Sequence, residues 1–302
     1  MDGVLIIDKP AGITSHDVVS RVRRILKTRR VGHTGTLDPF ATGVLVVLVG
    51  QATRLAQFLD KDKKEYEALV RFGYETDTAD VTGSRITDSQ LSDQEVASRI
   101  ASADWNDIFD VFRGEIEQVP PMFSAKKVAG KKLYEHARSG ETIDRKKINV
   151  AIHKLELVDQ SQISNLKSEI IIRVACSAGT YIRTLAEDIG RKIGIGAHLS
   201  ELRRTRAGKF TIGQSVTLDE LEHLAEPHKG LIAMKEAVSH LPTFILPDDR
   251  VDKTRNGLST RIFESEFEDG LALQMLDSDG NLLAIGLYNE AENSVQPKVV
   301  LV

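Results

Sequence analysis

Cysteine is almost missing from this chain. Cys176 is the single one, so neither an internal disulfide nor a thiolate metal cluster can form. That scarcity fits a reducing, cytoplasmic setting. Val174 and Ala175 flank Cys176 and mark it as a buried structural thiol rather than a nucleophile. Long apolar runs are lacking too, since none approaches the roughly 18 residues that a bilayer span requires. The opening M-D-G-V-L-I-I-D-K carries no basic leader and no small-residue cleavage site, which argues against a signal peptide. There is no P-loop pattern, no G-x-G-x-x-G, no H-E-x-x-H and no pair of cysteines. Internal repeats and low-complexity tracts are absent. The eight histidines are scattered and form no metal-binding cluster.

A surplus of positive charge is also missing, with a net charge of −4 over 302 residues. The pooled value hides an uneven distribution. Residues 243–302 hold eleven acids against five bases, leaving 35 bases and 33 acids in the remainder. Within that remainder the bases cluster, and clustered cations are what phosphate backbones respond to. Arg21, Arg23, Arg24, Lys27, Arg29 and Arg30 place six cations in ten residues. This is either a solvated helix end that suits the helix dipole or a patch for an RNA backbone. Residues 118–147 hold eight bases against three acids, interrupted by Gly130 and Gly140. A surface loop and a mobile arm that grips structured RNA are both consistent with that composition.

What is present centres on Val31–Val44, V-G-H-T-G-T-L-D-P-F-A-T-G-V. Three glycines and Pro39 surround a single acid, Asp38, and the apolar run Val44–Val49 predicts a buried strand directly afterwards. An acid on a stiff loop at the mouth of a buried strand can serve as nucleophile or general base. An ordinary Asp-Pro turn fits the same residues.

Elsewhere, Val4–Ile7 reads as a strand and Thr14 as the cap of a helix, with Asp17 completing a capping box. Val18, Val19, Val22, Ile25 and Leu26 form its apolar stripe. Ser15, His16 and Asp17 are consecutive on that helix and do not face each other, so they make no triad. Gln51–Asp60 reads as a short helix. Lys64–Phe72 alternates as a half-buried strand with Tyr66 on its inner face. Asp77–Gly83 lacks the spacing of a calcium loop and reads as a structural turn. Ser92 and Glu95 cap a further helix, and residues 106–117 are expected to continue helical until Val119-Pro120-Pro121. Ile170–Val174 reads as a strand whose continued alternation would place Tyr181 and Arg183 on one face, before a helix from Thr184 to Ile193. Asn256-Gly257, Asp269-Gly270 and Asp279-Gly280 separate short apolar runs, as in a small β domain.

Five blocks, in order, resemble the tRNA pseudouridine-55 synthases, the bacterial type B pseudouridine synthase family. They are D-K-P-A-G-I-T-S (8–15), G-H-T-G-T-L-D-P-F-A-T-G-V-L (32–45), V-P-P-M-F-S-A-K-K (119–127), S-A-G-T-Y-I-R-T-L (177–185) and L-S-E-L-R-R-T-R-A-G (199–208). The resemblance spans about residues 3–215.

It implies an α+β pseudouridine-synthase fold: a mixed, largely antiparallel sheet with flanking helices and a central RNA cleft. It implies a catalytic domain over 1–242, with a tRNA-clamping insertion at about 118–147, and a small PUA-like β domain over 243–302. The implied reaction is isomerisation of a T-loop uridine of tRNA by base flipping. The bond from ribose C1′ to uracil N1 breaks and C1′ rejoins at C5, without metal or cofactor. Asp38 would be the essential carboxylate, either attacking as a nucleophile or removing a ribose proton. Arg183 would pair with it, and Tyr66 would stack under the base and take part in the deprotonation. Tyr181 and Leu202 would line the pocket, and Lys9 would support the loop.

His33 would enter the space that the base vacates. Arg24, Arg30, Lys126, Lys127, Lys131, Lys132, Tyr134, Arg138, Arg203 and Arg204 would contact RNA. The implied partner is the T-arm and elbow of tRNA, bound by a monomer that needs no guide RNA or membrane. A tRNA-folding chaperone using the same surface is the alternative. An RNA methyltransferase would want a glycine-rich nucleoside loop that the chain lacks.

Overall fold

The computed structural model describes residues 1–60, 63–88, 90–124, 127–128, 131–133, 136, 141, 143–158, 168–262 and 266–301, with the backbone alone at 88, 127, 128, 131 and 132. The chain opens with strand β1 (Gly3–Lys9), helix α1 (Ser15–Ile25) and strands β2 (Val31–Thr34), β3 (Thr42–Val49) and β4 (Lys64–Phe72). A small hairpin, β5 (Tyr74–Thr76) and β6 (Arg85–Asp88), precedes β7 (Gly114–Gln118). Two-residue strands β8 (Lys127–Val128) and β9 (Lys131–Lys132) pair with each other. Then come β10 (Ile148–Leu157), β11 (Glu169–Cys176), β12 (Ala197–Ala207) and β13 (Phe210–Thr211). The tail carries β14 (Thr243–Ile245), β15 (Thr260–Arg261), β16 (Ala272–Leu276), β17 (Leu282–Asn289) and β18 (Ser294–Val300).

The large sheet runs β1-β3-β12-β4-β11-β10-β7, with β2 on β3 and β13 on β12. Its pairs are antiparallel except β3 with β12, so the fold is the mixed, largely antiparallel α+β arrangement expected. The valine run of β3 is buried on both faces, as an unbroken apolar strand requires. β4 instead alternates buried and half-buried residues, its inner set being Tyr66, Ala68, Val70 and Phe72. β3 and β12 approach so closely at Gly43 that an added Cβ would lie 2.2 Å from the Arg204 carbonyl oxygen, and φ there is +100°.

The five tail strands form a second sheet, β14-β16-β17-β18-β15, joined by the helix Asp248–Arg255. Gly257, Gly270 and Gly280 take positive φ, as the three turn dipeptides predict. This sheet leans on the first one: Ile285, Val299 and Leu301 share a core with Val4, Val46 and Leu48.

Two expectations fail locally. Residues 106–117 do not continue as a helix: it covers Trp105–Asp110, and β7 follows. Gly114, at φ +86°, ends the turn, and Ile116 finds a sheet partner in Val150. Likewise Tyr181 and Arg183 are not strand residues, because Tyr181 caps the helix Ile182–Lys192 and Arg183 lies in its first turn. In Gln51–Asp60 the first part is a 3₁₀ segment and only Ala56–Leu59 is α-helical.

Candidate active site

Asp38 lies on the turn between β2 and β3, which two buried side chains hold in place. Ser15, the first residue of α1, donates its hydroxyl to the Leu37 carbonyl at 3.1 Å and accepts the Leu37 N–H at 2.9 Å. The Lys9 ammonium, fully buried at the end of β1, donates to the carbonyls of Pro10 (2.8 Å), Pro39 (3.2 Å) and Ala41 (2.7 Å). Burial pushes the Lys9 amine down to about 8, with Asp38 opposing the fall and Arg204 adding to it. The turn is thus fixed on both sides of the acid.

Arg183 meets Asp38 with two nitrogens, Nε at 3.0 Å from Oδ2 and Nη2 donating to Oδ1 at 3.2 Å. The same guanidinium donates to the carbonyls of Phe123 (2.7 Å) and Thr78 (3.0 Å) and to Asp80 Oδ2 (3.3 Å). Asp80 is itself held, because its Oδ1 accepts from the hydroxyls of Thr78 (2.9 Å) and Thr82 (2.5 Å) and from the Thr82 N–H (2.9 Å). A planar guanidinium gripped at four points keeps one orientation towards Asp38. Recession of Asp38 raises its carboxyl above the ordinary carboxylate range; Arg183 pulls it back, and Asp80 adds to the rise.

Asp38 and Arg183 stand between two cavities. The smaller, of about 290 Å³, is lined by Tyr66, Leu202, Tyr181, Lys64, Arg204 and the Ala178–Thr180 turn. The larger, of about 640 Å³, is lined by Thr14, His16, His33, Phe40, Thr82 and Phe123. Tyr181 is fixed through its backbone, which Gln118 brackets with bonds of 3.0 and 3.2 Å. Burial raises the Tyr66 phenol, with Arg204 opposing, so this ring stays protonated at neutral pH. Burial lowers His33, which keeps it neutral there, and its Nδ1 has no hydrogen-bond partner. Among the described residues, no group of three or more His, Cys, Asp and Glu could hold a metal ion. One oriented carboxylate at a cavity lined by an aromatic side chain suits attack on, or proton removal from, a planar-ringed substrate.

Family comparison decides between chemistries that this geometry allows. Residues 23–182 match the TruB family pseudouridylate synthase N-terminal domain, and residues 183–251 match the tRNA pseudouridylate synthase B C-terminal domain. The chain belongs to the TruB family. It is 45% identical to the tRNA pseudouridine synthase B of Geobacillus thermodenitrificans (strain NG80-2), over 87% of this chain and 86% of that one. With the Bacillus subtilis (strain 168) protein of the same name it shares 38% identity, over 100% and 98% of the two chains. Among solved structures it resembles a chain of a Cbf5-Nop10-Gar1 complex at 27% identity and a TM-score of 0.72, covering 99% of this chain and 85% of that one.

The structure of this TruB-family chain brings together Lys9, Asp38, Tyr66, Tyr181, Arg183 and Leu202, with His33 facing the neighbouring cavity. The cations expected to contact RNA divide. Arg24 is exposed on α1, and Arg30 is exposed with Nε donating to Thr53 at 3.0 Å. Arg203 pairs with Asp8 at 2.7 Å. Arg204 is no surface cation: it is 1% exposed, and its guanidinium donates to the carbonyls of Val44 (2.7 Å) and Gly35 (2.8 Å). Its place on the inner face of β12, against β3, turns it into the cavity wall. Lys126, Tyr134 and Arg138 lie outside the described residues, and Lys127, Lys131 and Lys132 are described only as backbone. Asp80 was passed over by sequence reasoning, since Asp77–Gly83 reads as a plain turn. Threonines two residues to either side of Asp80 were the one available signal of a clamped carboxylate.

Proposed function

We propose that this chain isomerises a uridine of tRNA to pseudouridine, at position 55 of the T-loop, with Asp38 as the essential carboxylate. The observation that carries this reading is the two-point contact of Arg183 with Asp38 at a recessed cavity lined by Tyr66. The family membership supplies the reaction class.

In this reading the uracil ring lies on Tyr66 in the smaller cavity and C1′ faces Asp38. Cleavage sends the C1′–N1 electron pair to the uracil, which turns and rejoins C1′ through C5; the C5 proton then leaves and N1 gains one. Asp38 acts either on C1′ directly or by removing a ribose proton. Arg183 opposes the effect of burial on the carboxylate and favours its ionised form, and Leu202 and Tyr181 close the cavity around the detached base. Tyr66, as a protonated phenol, serves first as a stacking surface. Turning the base out of a folded T-loop costs on the order of a few kcal/mol. His33 would fill the vacated space, and the basic segments would add phosphate contacts.

Residues 1–242 would form the catalytic unit and 243–302 an appended β unit. The enzyme would act in the cytoplasm as a monomer without a guide RNA. Incubating unmodified tRNA transcript with the protein and mapping pseudouridine by carbodiimide primer extension tests the proposal. One new stop at the T-loop uridine, absent with Asp38→Asn, is expected. Wild-type-like turnover in Asp38→Asn would refute it.

A further inference from the structure

Ser124 is 4% exposed, and its hydroxyl has no hydrogen-bond partner. Buried polar groups are nearly always paired, so an orphan beside a ligand site points to a partner that arrives with the ligand. Ser124 lines both cavities, which it shares with Thr36, Leu37, Asp38 and Arg183. Among the described residues, one other orphaned atom lies at these cavities, His33 Nδ1, and it lines the larger cavity alone, whereas His198 Nε2, Thr254 Oγ1 and Gln274 Oε1 belong to residues that line neither. The serine is also held to the reacting carboxylate. The carbonyl of Phe123, immediately before it, accepts from Arg183 Nη2 at 2.7 Å, and the same nitrogen donates to Asp38 Oδ1 at 3.2 Å.

We infer that Ser124 hydrogen-bonds the ribose 2′-hydroxyl of the target uridine and so helps the enzyme to select RNA. This rests on the proposed function, in which C1′ faces Asp38. The carbon next to C1′ is C2′, so its hydroxyl is the substrate hydroxyl nearest to the Asp38 wall. Serine and the 2′-hydroxyl can each donate and accept, which allows the pair to form in either direction. A 2′-hydroxyl contact is how a protein distinguishes RNA from DNA at one nucleotide.

A binding cycle tests this. Full-length protein carrying Asp38→Asn, so that substrate is not consumed, is compared with and without Ser124→Ala. Each is titrated with tRNA holding either uridine or 2′-deoxyuridine at the target position. Ser124→Ala should raise the Kd for the ribose substrate about tenfold, the usual scale for one lost hydrogen bond, and leave the deoxy substrate nearly unchanged. Ser124→Thr, which keeps a hydroxyl, should restore the preference for ribose. Equal weakening on both substrates would overturn the inference, since the serine would then serve the base or the fold. Unchanged binding to both would overturn it as well. A flat cycle beside an active wild-type enzyme defeats the serine's role alone, whereas wild-type protein that forms no pseudouridine defeats both readings.

Discussion

Asp38 is held for chemistry against its own titration preference. Its carboxyl is raised by burial, so any stability from its titration is full below the unfolded value of 3.8 and lost as pH rises through the folded value. Once ionised, the group therefore adds no stability through its titration. Asp38→Asn should abolish turnover while leaving the melting temperature equal or slightly higher, which calorimetry beside a single-turnover assay can check. The same raised value predicts that activity falls, on acidification, at a higher pH than an ordinary carboxylate would give. Asp80→Asn removes one of the anions that fix Arg183; misplacing a catalytic group by about an ångström can cost on the order of a hundredfold. Its kcat should fall by roughly tenfold to a hundredfold with little change in tRNA affinity, a split that active-site titration would reveal. Lys9, lowered to about 8, donates three bonds as an ammonium but retains only two N–H as an amine. The rate should therefore decline above about pH 8, and Lys9→Met should lower kcat and lose that alkaline limb.

At the scale of elements, the site is built where β1, α1 and the β2–β3 turn meet. Thr14 and Asp17 cap α1 reciprocally, at 3.1 Å and 2.9 Å, and the next residue, Ser15, pins Leu37. Losing such a cap typically costs about 1 kcal/mol. Thr14→Ala should lower stability by about that amount in denaturant titration, with a further loss of kcat because α1 carries Ser15. Gly43 is more demanding. Any side chain there meets the Arg204 backbone at 2.2 Å, and the β3–β12 pair that carries Arg204 and Leu202 would separate. Gly43→Val should leave little folded protein, as read by circular dichroism.

Over the whole molecule, apolar packing joins the acidic tail to the large sheet, with Arg54 and Lys235 donating to the tail carbonyls of Val300 and Gly280. Ile285, Val299 and Leu301 are buried against β1 and β3. Deleting residues 243–302 would strip that cover, so the truncated chain should aggregate or melt well below the full protein in a thermal shift assay. The positive charge concentrated in the rest of the chain should make tRNA binding weaken steeply with salt, with a linear log–log slope. Neutralising Arg24 and Arg30 together should reduce that slope.

Local signals in the sequence determined much of this protein. The strands β3 and β4, the Thr14–Asp17 cap, the tail turns and the loop bearing Asp38 all follow from patterns within a dozen residues, where propensity and burial agree. Five ordered motifs named the family. The tertiary structure alone decided what depends on distant partners. β7 became a strand because β10 offered it an edge, although residues 106–117, most of β7 included, read as helix. Arg204 became a cavity wall because β12 runs against β3. Asp80 joined the site because a helix starting over a hundred residues later delivers Arg183 to it. Sequence spacing records none of these meetings, since hydrogen bonds and ion pairs are fixed by distance in space.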